Sequence, residues 1–240
     1  VRTAILQQGG SMEEWLQLSA WQALQSWVLL NRQLADLDPD LVVWPEGSII
    51  INPDDEKEYR ALGGASPRDF FSRMVATGEY DFLIGGGTIE LHEGTTADGR
   101  QRFTAYNSCY MFDREGELGG RYDKMVPLPF GEYLPLADTF PFLKELIQGP
   151  GDFKAGEEVT FFQGSLPSGE PYVFTSPICY EAILTGQMWK MREADLFINI
   201  TNDAWFGDTA APHQHGMLAA VQAIEHGRPL LRVAFTGVSM

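Results

Sequence analysis

Cysteine is scarce. Cys109 and Cys179 are the only two in 240 residues, too few for a disulfide framework, and free thiols are expected. Basic residues are also few: Lys and Arg total 17 against 33 Asp and Glu, a formal charge of −16. The chain therefore lacks the cationic face that nucleic acid or an anionic bilayer surface requires. Of four histidines only His213 and His215 are close together. No CxxC or further ligand completes a zinc site around them, and neither metal nor cofactor is expected. No run reaches the ~20 apolar residues that span a bilayer, no signal-peptide pattern is present, and no repeat or low-complexity linker interrupts the chain. The start at Val1, and an end at Met240 just past a strand-like run, lead to the expectation of a fragment of a longer protein.

What is present is a core-forming composition, 44% apolar and 21% charged, in a length that suits one large domain spanning 1–240. Strand-like and helix-like segments alternate, which favours an α/β layered architecture. Strands are expected at 2–8, 41–44, 82–86, 88–92, 102–112, 118–124, 196–202 and 230–234, with Pro45 stopping the second. Ser11, with Glu14 three positions on, predicts a capping box. The helix it opens carries Leu16, Ala20, Leu24, Trp27 and Leu34 at roughly helical spacing, and Trp15, Trp21 and Trp27 are read as packing residues. Ser66-Pro67 has N-cap and first-turn chemistry for a helix to about Ala76, and 211–226 reads as another. Residues 52–59 read as a solvated acidic loop and Arg114-Glu-Gly116 as a hairpin turn. The prolines between 127 and 141 predict a structured loop, followed by a short helix near 142–148.

Three residues stand at the ends of strand-like segments: Glu46 in Leu-Val-Val-Trp-Pro-Glu46, Lys124 in Gly-Arg-Tyr-Asp-Lys124, and Cys179 closing the apolar run Pro171-Tyr-Val-Phe-Thr-Ser-Pro-Ile-Cys179-Tyr-Glu181, which reads as a buried strand. In α/β folds strand ends are where reacting groups gather. Acyl transfer needs a nucleophile, a base for its proton and positive charge for the oxyanion. Cys179, Glu46 and Lys124 supply these types, with Lys124 also expected to keep a thiolate ionised. Each also has a bland reading, as a core-filling thiol, a loop acid and a solvated cation. Cys109, inside Asn-Ser-Cys-Tyr-Met-Phe, is assigned to packing.

Trp44-Pro-Glu46, Tyr122-Asp-Lys124 and Ile178-Cys-Tyr-Glu181 resemble the three signature segments of the nitrilase (carbon–nitrogen hydrolase) superfamily, in its order, and the resemblance extends from Arg2 to Met240. Pro129-Phe-Gly-Glu132-Tyr-Leu-Pro, Asn202-Asp-Ala-Trp205-Phe-Gly, Ala223-Ile-Glu and Arg228-Pro-Leu-Leu-Arg232 narrow it to a family of apolipoprotein N-acyltransferases. The pattern departs at Val126-Pro-Leu128, where that family usually has His-Leu-Val, and at Gln222 and Phe235.

The resemblance implies a nitrilase-like α-β-β-α sandwich of two mixed sheets flanked by helices. It implies Glu46 as base, Lys124 as oxyanion stabiliser and Cys179 as nucleophile. Glu132 and Glu181 would be supporting acids and Trp205 a substrate-binding aromatic. The implied reaction moves an acyl chain from a phospholipid donor, through a Cys179 thioester, to the amine of a diacylglyceryl-cysteine lipoprotein. The implied setting is the bacterial inner membrane, with the catalytic domain facing the periplasm and attached through a membrane domain absent from this chain. Two other functions stay open: a soluble amidase with water as acceptor, and a non-catalytic binding domain.

Overall fold

Alternation of apolar side chains along the strands decides how the layers stack. The computed structural model describes residues 1–9, 14, 17–34, 36–57, 59–96, 99–137 and 152–240. Among these, one sheet orders β1 (Thr3–Ile5), β2 (Leu41–Ile49), β3 (Asp81–Thr95), β4 (Gln101–Phe112) and β5 (Leu118–Asp123). The other orders β6 (Phe162–Ser165), β7 (Pro171–Thr175), β8 (Leu196–Thr201) and β9 (Leu230–Ala234). Pairing is parallel from β1 to β3 and antiparallel from β3 to β5. It is antiparallel between β6 and β7 and parallel from β7 to β9, so both sheets are mixed.

With a side-chain period of two, each strand of the first sheet serves two cores. Leu41, Val43, Leu83, Cys109 and Met111 pack against Phe174 and Phe197 of the second sheet. Val42, Trp44, Phe82, Ile84, Tyr110 and Phe112 point the other way. They meet Leu24 and Trp27 of α1 (Ala20–Asn31) and Phe71 and Val75 of α2 (Pro67–Gly78). Trp27 stacks on Trp44 with ring centroids 5.5 Å apart. On the second sheet, α3 (Thr185–Met191) buries Met188 and Met191, and α4 (Ala211–His226) packs on α3 and β9. The result is the helix–sheet–sheet–helix sandwich expected from the sequence.

Several boundaries differ from expectation. The Ser11 start lies outside the described residues, as do Trp15, Leu16 and the short helix near 142–148. The helix beyond is not continuous with that start. Ser19 is extended (φ −67°, ψ 156°) and caps α1 reciprocally with Gln22, a competing box with the same chemistry. Strand β1 is three residues long rather than seven. The expected strands at 82–86 and 88–92 are one, because Gly85, Gly86 and Gly87 stay extended and pair with Cys109, Ser108 and Asn107. The 52–59 loop is only partly solvated, since Tyr110 donates to Asn52 and Tyr59 packs on Trp21. Strand β6 was not anticipated: four residues containing a glycine carry little periodic signal.

Pro45 does not end β2. The ladder to β3 is regular from Leu41 to Trp44, breaks, and resumes with Ile49 opposite Gly86, as suits a residue with no N–H to donate. The displaced segment lies directly over β3. A Cβ on Gly85 would stand 2.3 Å from the Pro45 carbonyl oxygen and 2.8 Å from the Glu46 Cα. Gly85→Ala is therefore expected to push the Glu46 backbone away at a cost of about 1–3 kcal/mol. A fall in Tm, together with slower modification of Cys179, checks this.

Candidate active site

Since β5 runs in the same direction as β2, Lys124 emerges one residue after β5 at the same sheet edge as Glu46. Its backbone N–H is anchored on the Asn107 carbonyl at 2.8 Å. Glu46 and Lys124 are almost fully buried, at 8% and 2% exposed. Lys124 Nζ lies 2.7 Å from Glu132 Oε2 and 3.5 Å from Glu46 Oε1. Asn107, in the middle of β4, holds the two acids together: its Nδ2 donates to Glu46 Oε1 at 2.7 Å and to Glu132 Oε1 at 2.5 Å. The other Glu46 oxygen, Oε2, accepts the Asn202 backbone N–H at 2.7 Å. The Glu132 loop is closed by its own acid, whose Oε2 accepts the Leu128 N–H. Burial pushes the Lys124 ammonium toward losing its proton, but the Glu46 and Glu132 carboxylates outweigh that and hold its pKa above the ordinary value.

Cys179 does not sit at a strand end. β7 stops at Thr175, and the chain continues through Ser176, Pro177 and Ile178 before Cys179 opens a short 3-10 turn, Cys179–Ile183. A single parallel bridge from Ile178 to Ile200 and a set of side-chain bonds replace the ladder there. Ser176 Oγ donates to the Ile198 carbonyl, and Asn199 Nδ2 donates to the carbonyls of Pro177 and Cys179. Cys179 itself has φ +53°, a left-handed conformation rare for a side-chain-bearing residue and typical of positions fixed for a purpose. Its thiol is buried and feels the charges of Glu46, Lys124 and Glu132.

Burial first, then Glu46, push the thiol up to about 12; Lys124 and the Thr201 hydroxyl pull the other way without prevailing. Burial and Glu46 thus favour the protonated sulfur, opposing the part expected of Lys124. A base must remove that proton as the sulfur attacks. Cys109, by contrast, lies between the sheets with its thiol pushed well above the ordinary range by burial.

Glu181 is fully buried and has its own set of partners. It accepts from the backbone N–H groups of Met125, Val126 and Ile178 and from the Tyr122 hydroxyl. It thus clamps the turn after Lys124 to the turn before Cys179. Burial is the largest influence on it, and these donors and Lys124 offset that only partly, leaving its pKa pushed up to about 7. Between its ordinary 4.5 and about 7 the native state keeps a proton that the unfolded chain releases. The contribution to stability is therefore fully present below that window and is lost as pH rises through it. Glu181→Gln is expected to flatten this slope, as read from Tm at several pH values on both proteins.

Trp205 is exposed on the 3-10 turn Asp203–Phe206, capped by Asn202. His213 is exposed, and His215 Nδ1 pairs with Asp203 Oδ1 at 3.0 Å. Among the described residues no group of three or more His, Cys, Asp or Glu is placed to hold a metal ion. Asn107 was missed from sequence; its only signal was a polar residue within the apolar β4 pattern.

The carbon-nitrogen hydrolase family pattern matches residues 2–240. The chain is 35% identical over 206 residues to an apolipoprotein N-acyltransferase of Rhizobium rhizogenes, covering 84% of this chain and 35% of that protein. It is 32% identical over 213 residues to one of Geobacter metallireducens, covering 88% and 37%. The chain thus spans about a third of the length of these curated relatives. Among solved structures, a carbon-nitrogen hydrolase from Helicobacter pylori superposes with a TM-score of 0.61 at 17% identity, over 99% of this chain and 74% of that one. An amidase from Nesterenkonia does so with a TM-score of 0.60 at 15% identity, over 99% and 80%. At these identities the two structures speak to the fold.

Proposed function

Because the chain belongs to the carbon-nitrogen hydrolase family, we propose that its buried cluster performs lipoprotein N-acylation by way of a Cys179 thioester. The observation that carries this is the buried cluster of Glu46, Lys124 and Glu132, with the buried Cys179 thiol within its electrostatic reach. It occurs in a chain whose curated relatives are named apolipoprotein N-acyltransferases. In the first half-reaction the Cys179 sulfur bonds to the acyl carbonyl carbon of a phospholipid ester as its proton passes to Glu46. Lys124 stabilises the oxyanion. The ester C–O bond then breaks and the lysophospholipid leaves with the proton from Glu46. In the second, the α-amine of a diacylglyceryl-cysteine attacks the thioester, the C–N bond forms, the C–S bond breaks and Glu46 moves the amine proton to sulfur.

Glu132 supports this by fixing Lys124, and Glu181 by clamping the two turns. Trp205, with exposed Phe130 and Leu136 on the loop that carries Glu132, offers apolar surface for a lipid chain. Among the described residues no helix is long and apolar enough to cross a membrane. The bilayer contact in this proposal belongs to a domain outside this chain, at the periplasmic face of a bacterial inner membrane.

Incubation with phospholipid vesicles should add one acyl chain at Cys179 by intact mass, and a diacylglyceryl-cysteinyl peptide should then remove it and gain the same mass. Release of free fatty acid with the peptide unmodified would make water the acceptor. An unmodified thiol in folded full-length protein would leave a binding domain.

A further inference from the structure

Arg232 is fully buried although it is a cation, on β9. All three nitrogens of its guanidinium are used. Nε donates to the Val238 carbonyl at 3.2 Å, Nη1 to Asn199 Oδ1, and Nη2 to Asp203 Oδ2 at 2.7 Å. The residue's own backbone exchanges hydrogen bonds with Met240, so the fork is held at both ends.

Its two outer arms lead to the two halves of the site. Through Nη1 it orients the Asn199 side-chain amide, which binds the carbonyls of Pro177 at 2.8 Å and of Cys179 at 3.3 Å. Those carbonyls belong to the segment that carries the left-handed Cys179. Through Nη2 it fixes Asp203, whose other oxygen accepts from His215 Nδ1 at 3.0 Å and from Thr201 Oγ1 at 3.2 Å. Asp203 immediately follows Asn202, the residue whose N–H holds Glu46 Oε2. The Thr201 hydroxyl also lies beside the Cys179 thiol.

We propose that Arg232 is a positioning residue, one planar guanidinium that sets the Cys179 turn and the Glu46-binding N–H at a fixed separation. A bidentate fork suits this task because it fixes two acceptors in one plane, which a lysine cannot do. The inference rests on Glu46 serving as base to the Cys179 thiol, as in the function proposed above.

The test is the rate of Cys179 modification in the purified protein with two probes. Iodoacetamide forms an S–C bond with loss of iodide and delivery of the thiol proton to the base. A p-nitrophenyl acyl ester forms the thioester with loss of nitrophenolate. Arg232→Lys keeps a charge opposite Asp203 and gives up the Asn199 arm. It is expected to slow both reactions about 10- to 100-fold, the scale on which small misplacements act. The ester concentration at half-saturation should stay within about twofold, because binding is untouched. Asn199→Ala should slow them comparably, and the double variant should be no slower than the worse single one, since both act through the same bond.

Val75→Ala, in the helix-side core, supplies a control of reduced stability without loss of rate. Wild-type rates in Arg232→Lys would overturn the inference. So would a loss no larger than that of Val75→Ala, or losses that multiply in the double variant. If the wild-type protein takes iodoacetamide but never the ester, the acyl-transfer reading falls while the alkylation series still decides Arg232.

Discussion

Cys179→Ala is expected to abolish the acyl adduct completely while leaving a folded protein. No other described sulfur nucleophile is available, because Cys109 is enclosed between the sheets with its thiol held protonated. The substitution keeps a Cβ at the left-handed position and removes one atom from a buried site. The cost to the fold is about 1 kcal/mol, small beside the ~5–15 kcal/mol of a typical domain. Intact mass after incubation with donor, alongside a Tm measurement, separates loss of chemistry from loss of structure. An adduct persisting in Cys179→Ala would move the nucleophile elsewhere and dismantle the mechanism.

The second large effect is expected from Glu46→Gln. Both oxygens of Glu46 face donors: Asn107 Nδ2 and Lys124 Nζ on one side, the Asn202 N–H on the other. An amide cannot fit that pattern, because its NH2 must meet one of these donors whichever way it turns. The mismatch costs about 1–3 kcal/mol, enough to lower Tm without unfolding the chain. The chemical cost is larger. With the thiol pushed up to about 12, the uncatalysed fraction of thiolate at neutral pH is very small. Removing the base should slow thioester formation and its aminolysis by about 10²- to 10⁴-fold. Comparable slowing of both half-reactions, measured separately by single-turnover mass and by transfer to peptide, is the expected result. A variant slowed only in the second step would assign thiol deprotonation to another group.

Legibility from sequence followed the length and regularity of each signal. The helix at Pro67–Gly78 was visible through its Ser66 cap and first-turn proline, and the helix at Ala211–His226 and the strand Leu230–Ala234 through their apolar patterning. The Glu46 and Cys179 segments stood out because a charge or thiol ends an apolar run, and Lys124 because it closes a strand-like segment. That Glu46 and Lys124 share a sheet edge required the antiparallel β3–β5 ladder, which sequence does not display. Asn107 and Asn199 were opaque for a different reason. Each is a polar residue within a strand whose partner lies far along the chain, so nothing local distinguishes it from a solvated position. The glycine run at 85–87 misled in the opposite sense. It suggested a break where the backbone needs open space beneath Pro45 and Glu46.

The Glu181 carboxylate has a mechanical consequence. By gripping the amides of Met125 and Val126 with one oxygen and that of Ile178 with the other, it acts as a yoke between the lysine-bearing and sulfur-bearing loops. Thermal drift of either loop is then shared by its neighbour, so the gap between ammonium and sulfur survives while the pair moves as a unit. Under the proposed function, adjustment to differently shaped lipids would then fall to exposed apolar side chains such as Phe130, Leu136 and Trp205, leaving the distances at the reacting centre unchanged.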